Sequence, residues 1–221
     1  MSGALQFLIV PVTAFQQNCS LLWDAHGQAA LIDPGGDMPR LLAEVDRRGL
    51  TLTKILLTHA HLDHCAATAP LARARRLPVE GPGREDHFWI EALPAAAAQY
   101  GFPPAESFEP DRWLEDGDTV SVGEETLEVL HCPGHTPGHL VFFHRPTRIA
   151  WVGDVLFAGS VGRTDFPRGN PQALIRSIRE RLFPLGDDVR FVPGHGPMSS
   201  FGAERRTNPF VADRLFGAAG A

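Results

Sequence analysis

The sequence is poor in cysteine, lysine and tyrosine. Cys19, Cys65 and Cys132 are an odd, scattered set of three in 221 residues. That excludes the paired disulfide framework of a small secreted domain and fits reduced thiols in a cytoplasmic protein. Lysine occurs once, at Lys54, so the 20 basic residues are almost all arginine, and the formal net charge is −6. An acidic balance of this kind repels phosphate, which argues against nucleic acid and anionic membranes as general partners. No apolar run reaches the ~20 residues needed to span a bilayer. Met1 to Val12 lacks the basic start of a signal peptide and reads as a first strand.

At 43% hydrophobic residues, the chain has enough apolar material for one sizeable core, and two domains would fit tightly. Residues 1–221 are therefore expected to form a single domain. Short strands are expected at Leu5 to Val12, Asn18 to Trp23, Ala29 to Asp33 and Thr53 to Thr58. Met38 to Arg48 has the apolar spacing of a helix, with Gly49 as its C-cap. A second helix is predicted over Leu62 to Arg76, and helical segments interrupted by Pro94 over Glu85 to Gly101. The runs Thr119 to Val122 and Thr126 to Leu130 read as a hairpin, followed by strands at Leu140 to His144 and Arg148 to Val152. Pro171 to Phe183 is predicted as an amphipathic helix, Arg190 to Val192 as a strand, and Glu204 to Phe216 as a closing helix. This order implies an α/β architecture of two sheets with helices outside.

The chemistry is concentrated in Thr58-His59-Ala60-His61-Leu62-Asp63-His64. Extended residues two apart point the same way, so His59 and His61 can face one metal ion. Asp63 and His64 follow as the chain turns into a helix, aimed at a neighbouring point. The cluster suits a pair of adjacent cations. Three more ligand types stand at strand ends beside glycine: His135 in Pro133-Gly134-His135, Asp154 after Gly153, and His195 in Pro193-Gly194-His195-Gly196. Glycine at such points lets the backbone approach a site closely.

In order and in register, this set resembles the metallo-β-lactamase superfamily: a His-x-His-x-Asp-His loop, a lone His, an Asp and a final His. The resemblance implies the αββα sandwich of that family, with two sheets packed face to face. It also implies two divalent metal ions, zinc first, with iron or manganese as alternatives. His59, His61 and His135 would hold one ion, Asp63, His64 and His195 the other, and Asp154 would bridge them. Asp33 would prop the histidine loop by a hydrogen bond, although Asp33 before Pro34-Gly35-Gly36 also reads as a turn initiator. Catalysis would fall to a metal-bound hydroxide, with Asp63 and Asp154 as the catalytic carboxylates. Histidine rather than glutamate at position 61 argues against the flavo-diiron oxygen reductases.

Within the superfamily, Gly153-Asp154-Val155-Leu156-Phe157 and Gly162-Arg163-Thr164-Asp165-Phe166 resemble the glyoxalase II group and its persulfide dioxygenase relatives. The segments Pro11 to Phe15, Asn18-Cys19, Phe166 to Gly169 and Asn208-Pro209-Phe210 are most similar to its compact bacterial YcbL type. The implied reaction is hydrolysis of S-D-lactoylglutathione, a small-molecule thioester. The separate C-terminal glutathione-binding domain of longer glyoxalase II enzymes is not expected here. Arg163 takes the place of a substrate-binding lysine and either pairs with a glutathione carboxylate or buttresses its loop with Asp165. A persulfide dioxygenase with a single iron, a lactone or β-lactam hydrolase, and a non-catalytic scaffold are the rival functions. Among the other histidines, His139 is expected to be structural, with support behind the ligand His135 as the alternative, and His26, His87 and His144 are expected to lie at the surface or in loops. Cys65 and Cys132 read as small buried fillers.

Overall fold

The computed structural model describes residues 5–217. Three successive apolar layers account for its architecture. A five-stranded sheet has the order β1 (Gln6–Val12), β2 (Gln17–Trp23), β3 (Gln28–Ile32), β4 (Thr51–Leu56), β5 (Val79–Glu80). Its first three strands are antiparallel and its last three parallel. Alternation along each strand divides the side chains between two faces. Ala29, Leu31 and Ile55 pack outward against helices, whereas Ala30, Ile32 and Leu56 pack inward.

The second sheet has six strands. Its order is β13 (Ser199–Ser200), β12 (Arg190–Pro193), β9 (Ile149–Gly153), β8 (Leu140–His144), β7 (Glu125–His131), β6 (Thr119–Val122). Leu140, Phe142, Trp151 and Val192 meet the inner face of the first sheet, and Val141, Phe143, Ala150 and Phe191 face outward. A short ribbon of β10 (Leu156–Phe157) and β11 (Ser160–Val161) follows Asp154.

Helices α1 (Met38–Arg47), α2 (Leu62–Cys65), α3 (Thr68–Arg75) and α4 (His87–Tyr100) belong to the first sheet's side, and α5 (Pro171–Arg176) and α6 (Phe201–Thr207) to the second's. The sandwich is thus αββα. Among the described residues no helix is long and apolar enough to cross a membrane.

Five local expectations are corrected. The helix predicted over Leu62 to Arg76 is two helices, because the Ala67 amide donates to Pro34 O at 3.1 Å and pulls the chain toward the Pro34 loop. Helix α4 runs unbroken through Pro94. The burial of Ile90, Leu93 and Ala97 on one face offsets the ~3 kcal/mol that an interior proline costs. The amphipathic helix from Pro171 is α-helical only to Arg176, then widens into a π-turn over Ser177–Leu182. The closing helix starts earlier and ends sooner than predicted. Ser200 caps it by accepting from Ala203 N, and Asn208, which precedes Pro209, is extended at ψ 129°. His144 is not at the surface but fully buried, bonded to Glu125 Oε2 at 2.9 Å and Thr147 Oγ1 at 2.7 Å.

Candidate metal centre

The ligand-type residues cluster where strand ends of both sheets meet. His59 and His61 lie in the loop leaving β4, and Asp63 and His64 are in α2. His135 lies in the turn between β7 and β8, Asp154 directly follows β9, and His195 follows β12 through Gly194. The parallel pairing of β9 with β12 sets Pro193 opposite Gly153, which brings Asp154 and His195 to one edge. Backbone bonds then tie the two sheets together at that edge. Leu140 N donates to Thr58 O at 2.7 Å, and Asn18 N to Gly194 O at 2.7 Å. The Asn18 amide group also donates to Pro193 O at 3.0 Å and Gly196 O at 2.8 Å.

Two groups of side-chain donors result. His59, His61 and His135 each offer a ligand atom within 4.8 Å of the others, as do Asp63, His64 and His195. Asp154 faces both groups. Its Oδ2 is 3.6 Å from His135 Nε2 and 3.7 Å from His195 Nε2, while its Oδ1 is 3.4 Å from His64 Nε2. Asp63 Oδ2 lies 3.1 Å from His195 Nε2, and His135 Nε2 lies 2.8 Å from His61 Nδ1.

Four of the five histidines are oriented from behind through Nδ1. His59 Nδ1 meets Thr58 Oγ1 at 3.0 Å, and that hydroxyl donates to Asp33 Oδ2 at 2.6 Å. His64 Nδ1 meets the same Asp33 oxygen at 2.9 Å, His135 Nδ1 meets Arg163 O at 2.7 Å, and His195 Nδ1 meets Phe15 O at 3.1 Å. Each contact assigns the proton to Nδ1 and leaves Nε2 as a lone-pair donor turned toward the cluster. Asp33 therefore spends its side chain on Thr58 and His64. It also accepts from Thr58 N at 2.7 Å.

Whether this arrangement fits metal ions can be tested on polar atoms left without partners. Among the described residues, the Nε2 atoms of His59, His61 and His64 and Oδ1 of Asp154 are buried and accept or donate no hydrogen bond. Buried polar atoms are normally satisfied, and orphans converging on one place are what a bound cation would satisfy. At the first donor group the charge states agree. Burial pushes His59 and His135 below the usual histidine range, and His61 down to about 3. They are neutral, the form that ligates metal. Burial also opposes charge on His64 and His195, but the carboxylates of Asp154 and Asp63 outweigh it and raise both. Asp154 is held ionised by His64, His135 and His195 against its own burial. The fold and these His/Asp clusters point to divalent-metal binding.

Glycine is required at two contacts. A Cβ at Gly35 would stand 1.5 Å from Asp63 O, and one at Gly194 would stand 2.0 Å from Asp154 Oδ1. The cluster forms the floor of a cleft of about 900 Å³. Trp89 and Phe166 stand edge-on to His61 at 4.6 and 4.8 Å, and Ala92, Ala95 and Ala96 of α4 line the wall. Arg163 lies at the rim, bonded to both oxygens of Asp165 at 2.9 and 2.7 Å and stacked over Phe166 at 4.4 Å.

Two supports were not legible as such in the sequence. His139 stacks on His59 at 4.5 Å, and its Nε2 accepts from Asp154 N at 3.1 Å. Asp86 is fully buried and accepts from Ala60 N, Thr136 Oγ1 and Gly138 N. Burial pushes its carboxyl up to about 6 despite those bonds. His139 offered one signal, its place in the repeated Pro-Gly-His-Thr-Pro-Gly-His pattern. Asp86 sits in an ordinary-looking Arg-Glu-Asp run and offered none. The three cysteines are buried, and burial pushes their thiols up, Cys132 to about 12, so none supplies a thiolate.

Comparison with known proteins agrees with this geometry. The family model of the metallo-beta-lactamase superfamily matches residues 12–195. A hydroxyacylglutathione hydrolase, GloC, from Haemophilus influenzae is 47% identical, over 92% of this chain and 96% of the relative. Among solved structures, a di-iron-bound form of TTHA1623 is 41% identical with a TM-score of 0.84, covering 92% of this chain and all of that one (100%). The B3 metallo-beta-lactamase BLEG-1 is 33% identical with a TM-score of 0.86, covering 93% and 99%. Sharing the fold, the ordered His/Asp clusters and a family match from β1 to the last of the histidines, the chain belongs to the metallo-β-lactamase superfamily.

Proposed function

We propose that this protein is a metal-dependent thioester hydrolase that splits hydroxyacylglutathione, S-D-lactoylglutathione first, into a hydroxy acid and glutathione. The observation that carries the reading is Asp154, whose carboxylate stands between two donor groups on the floor of a roomy cleft. Near-full-length similarity to a hydroxyacylglutathione hydrolase supports the substrate class. In this reading His59, His61 and His135 hold one divalent ion, Asp63, His64 and His195 the second, and Asp154 serves both. Zinc is the first choice. The nitrogen and oxygen donors also suit manganese and iron, and a 41% identical neighbour holds two irons.

When bound, such ions lower the pKa of water toward ~7 and polarise a carbonyl oxygen. The protein does the rest. Asp63, which lines the cleft beside His195, orients the attacking water, and Asp154 keeps its negative charge throughout. Trp89, Phe166 and the alanine face of α4 exclude bulk water and accept the acyl group. Arg163, among the described residues the only arginine lining the cleft, takes a glutathione carboxylate in exchange for Asp165. We further read residues 1–221 as one domain acting in the cytoplasm on a small molecule.

The test is turnover of a panel containing S-D-lactoylglutathione, a lactone, a β-lactam and glutathione persulfide, before and after chelation. Thioester turnover that chelation abolishes and zinc, iron or manganese restores is expected. Oxygen uptake with the persulfide and no thioester cleavage would overturn the proposal in favour of a dioxygenase.

A further inference from the structure

Asp86 belongs to neither donor group, yet the two loops that build the first group meet on its carboxylate. Its Oδ2 accepts from Ala60 N at 3.1 Å and from Thr136 Oγ1 at 2.8 Å, and its Oδ1 from Gly138 N at 2.6 Å. Ala60 lies between His59 and His61, and Thr136 follows His135. One loop leaves the first sheet and the other belongs to the second. Asp86 bridges them from the residue preceding α4. Its own segment is fastened to the second loop again, by Gly83 N to Gly138 O at 2.9 Å. The approach is close: a Cβ at Gly138 would stand 2.5 Å from Gly83 O.

Burying a carboxylate is costly without a cation to pair with it. Among the described residues no cation forms an ion pair with Asp86, and the nearby charge is another carboxylate, Glu85. An apolar side chain would anchor the start of α4 at less cost. What the carboxylate adds is three acceptor bonds to two separate loops. The second donor group has other anchors, since Asp33 holds His64, and Phe15 O holds His195.

We infer that Asp86 is a positioning residue that sets the distance of His59 and His61 from His135, and so tunes one metal site without the other. This rests on the proposed reading that His59, His61 and His135 hold an ion of their own. Hydrogen-bonding partners behind metal ligands typically govern affinity by about 10–100-fold.

Metal-free protein is titrated with cobalt(II) against a competing chelator, following the ligand-field spectrum, for wild type, Asp86→Asn, Thr136→Val and Asp24→Asn. Asp24 is the control. It is buried and accepts from three backbone amides, His26, Gln28 and Glu124, in a hairpin region outside both donor groups. Two binding steps are expected for wild type. Asp86→Asn should weaken one of them by about 10–100-fold and leave the other in place. Thr136→Val, which removes a single bond, should weaken the same step by less. Asp24→Asn should lower the denaturation midpoint and move neither step. Unchanged steps in Asp86→Asn, equal weakening of both, or the same selective loss in Asp24→Asn would overturn the inference. If Asp86→Asn does not fold, an unshifted Thr136→Val overturns it. Wild type with one binding step overturns the two-ion reading and this inference together. The substrate that wild type turns over has no bearing on these affinities, so a failed thioesterase assay leaves them to decide alone.

Discussion

Asp33 Oδ2 lies 2.9 Å from Nδ1 of His64 and accepts from Thr58 Oγ1 at 2.6 Å, so one buried oxygen orients ligand-type residues on two elements. Removing it by Asp33→Ala leaves Thr58 N and the His64 imidazole unsatisfied in the interior. The expected result is a loss of about 3–5 kcal/mol of stability and weaker metal binding by about 10–100-fold. Urea denaturation and chelator competition measure the two effects, and wild-type metal affinity in the variant would remove Asp33 from the site.

Asp154 and Gly194 make a second test, because the side chain of one occupies the space beside the other's backbone. Gly194→Ala would place a methyl group 2.0 Å from Asp154 Oδ1 and 2.7 Å from His64 Cε1. A displacement of about 1 Å in a reacting group can cost ~100-fold in rate. Gly194→Ala should lose at least about that factor in kcat while circular dichroism stays unchanged, and Asp154→Ala should lose more. Full activity in Asp154→Ala would exclude its service to both donor groups.

Arg163 is bonded to Asp165 and stacked on Phe166, an arrangement that serves either a buttress or a waiting anion site. A charge-assisted hydrogen bond to a substrate carboxylate is worth ~1.5–3 kcal/mol. Arg163→Ala should accordingly raise KM by about tenfold or more at nearly constant kcat. A fall in kcat at constant KM would assign the residue to loop support alone.

The metal-free protein should weaken in mild acid. His59, His61 and His135 are depressed by burial, His61 to about 3. Below the ordinary histidine value of about 6.5, the unfolded chain binds protons that the folded chain refuses. Stability then rises with pH across this window and is fully present above it. His64 and His195 are raised, so below that value they are protonated in both states and add no slope there. The urea midpoint of apo-protein at pH 4.5 should fall below that at pH 7. Saturating metal at pH 7 should raise the midpoint further, because the ions bind the folded chain. An apo midpoint independent of pH would contradict the neutral assignment.

Much of this was readable before any fold was known. Alternation in runs such as Leu140 to His144, and helical spacing in Met38 to Arg48, are local signals. Ligand types beside glycine at strand ends announced a site and the family. Proximity in the chain limited the rest. A buried carboxylate finds its donors through space, so Asp86 between Ala60 and Thr136 and His144 buried on Glu125 had no sequence signature, and His139 beneath Asp154 had only its place in a Pro-Gly-His repeat. Packing also overrode local rules, carrying α4 through Pro94 and splitting the helix after Cys65. The sequence by itself determined which residue types carry the chemistry, because ligand identity and strand-end placement are written locally. Only the tertiary structure decided how far apart those residues stand and what holds them there, because both depend on hydrogen bonds between segments that are distant along the chain.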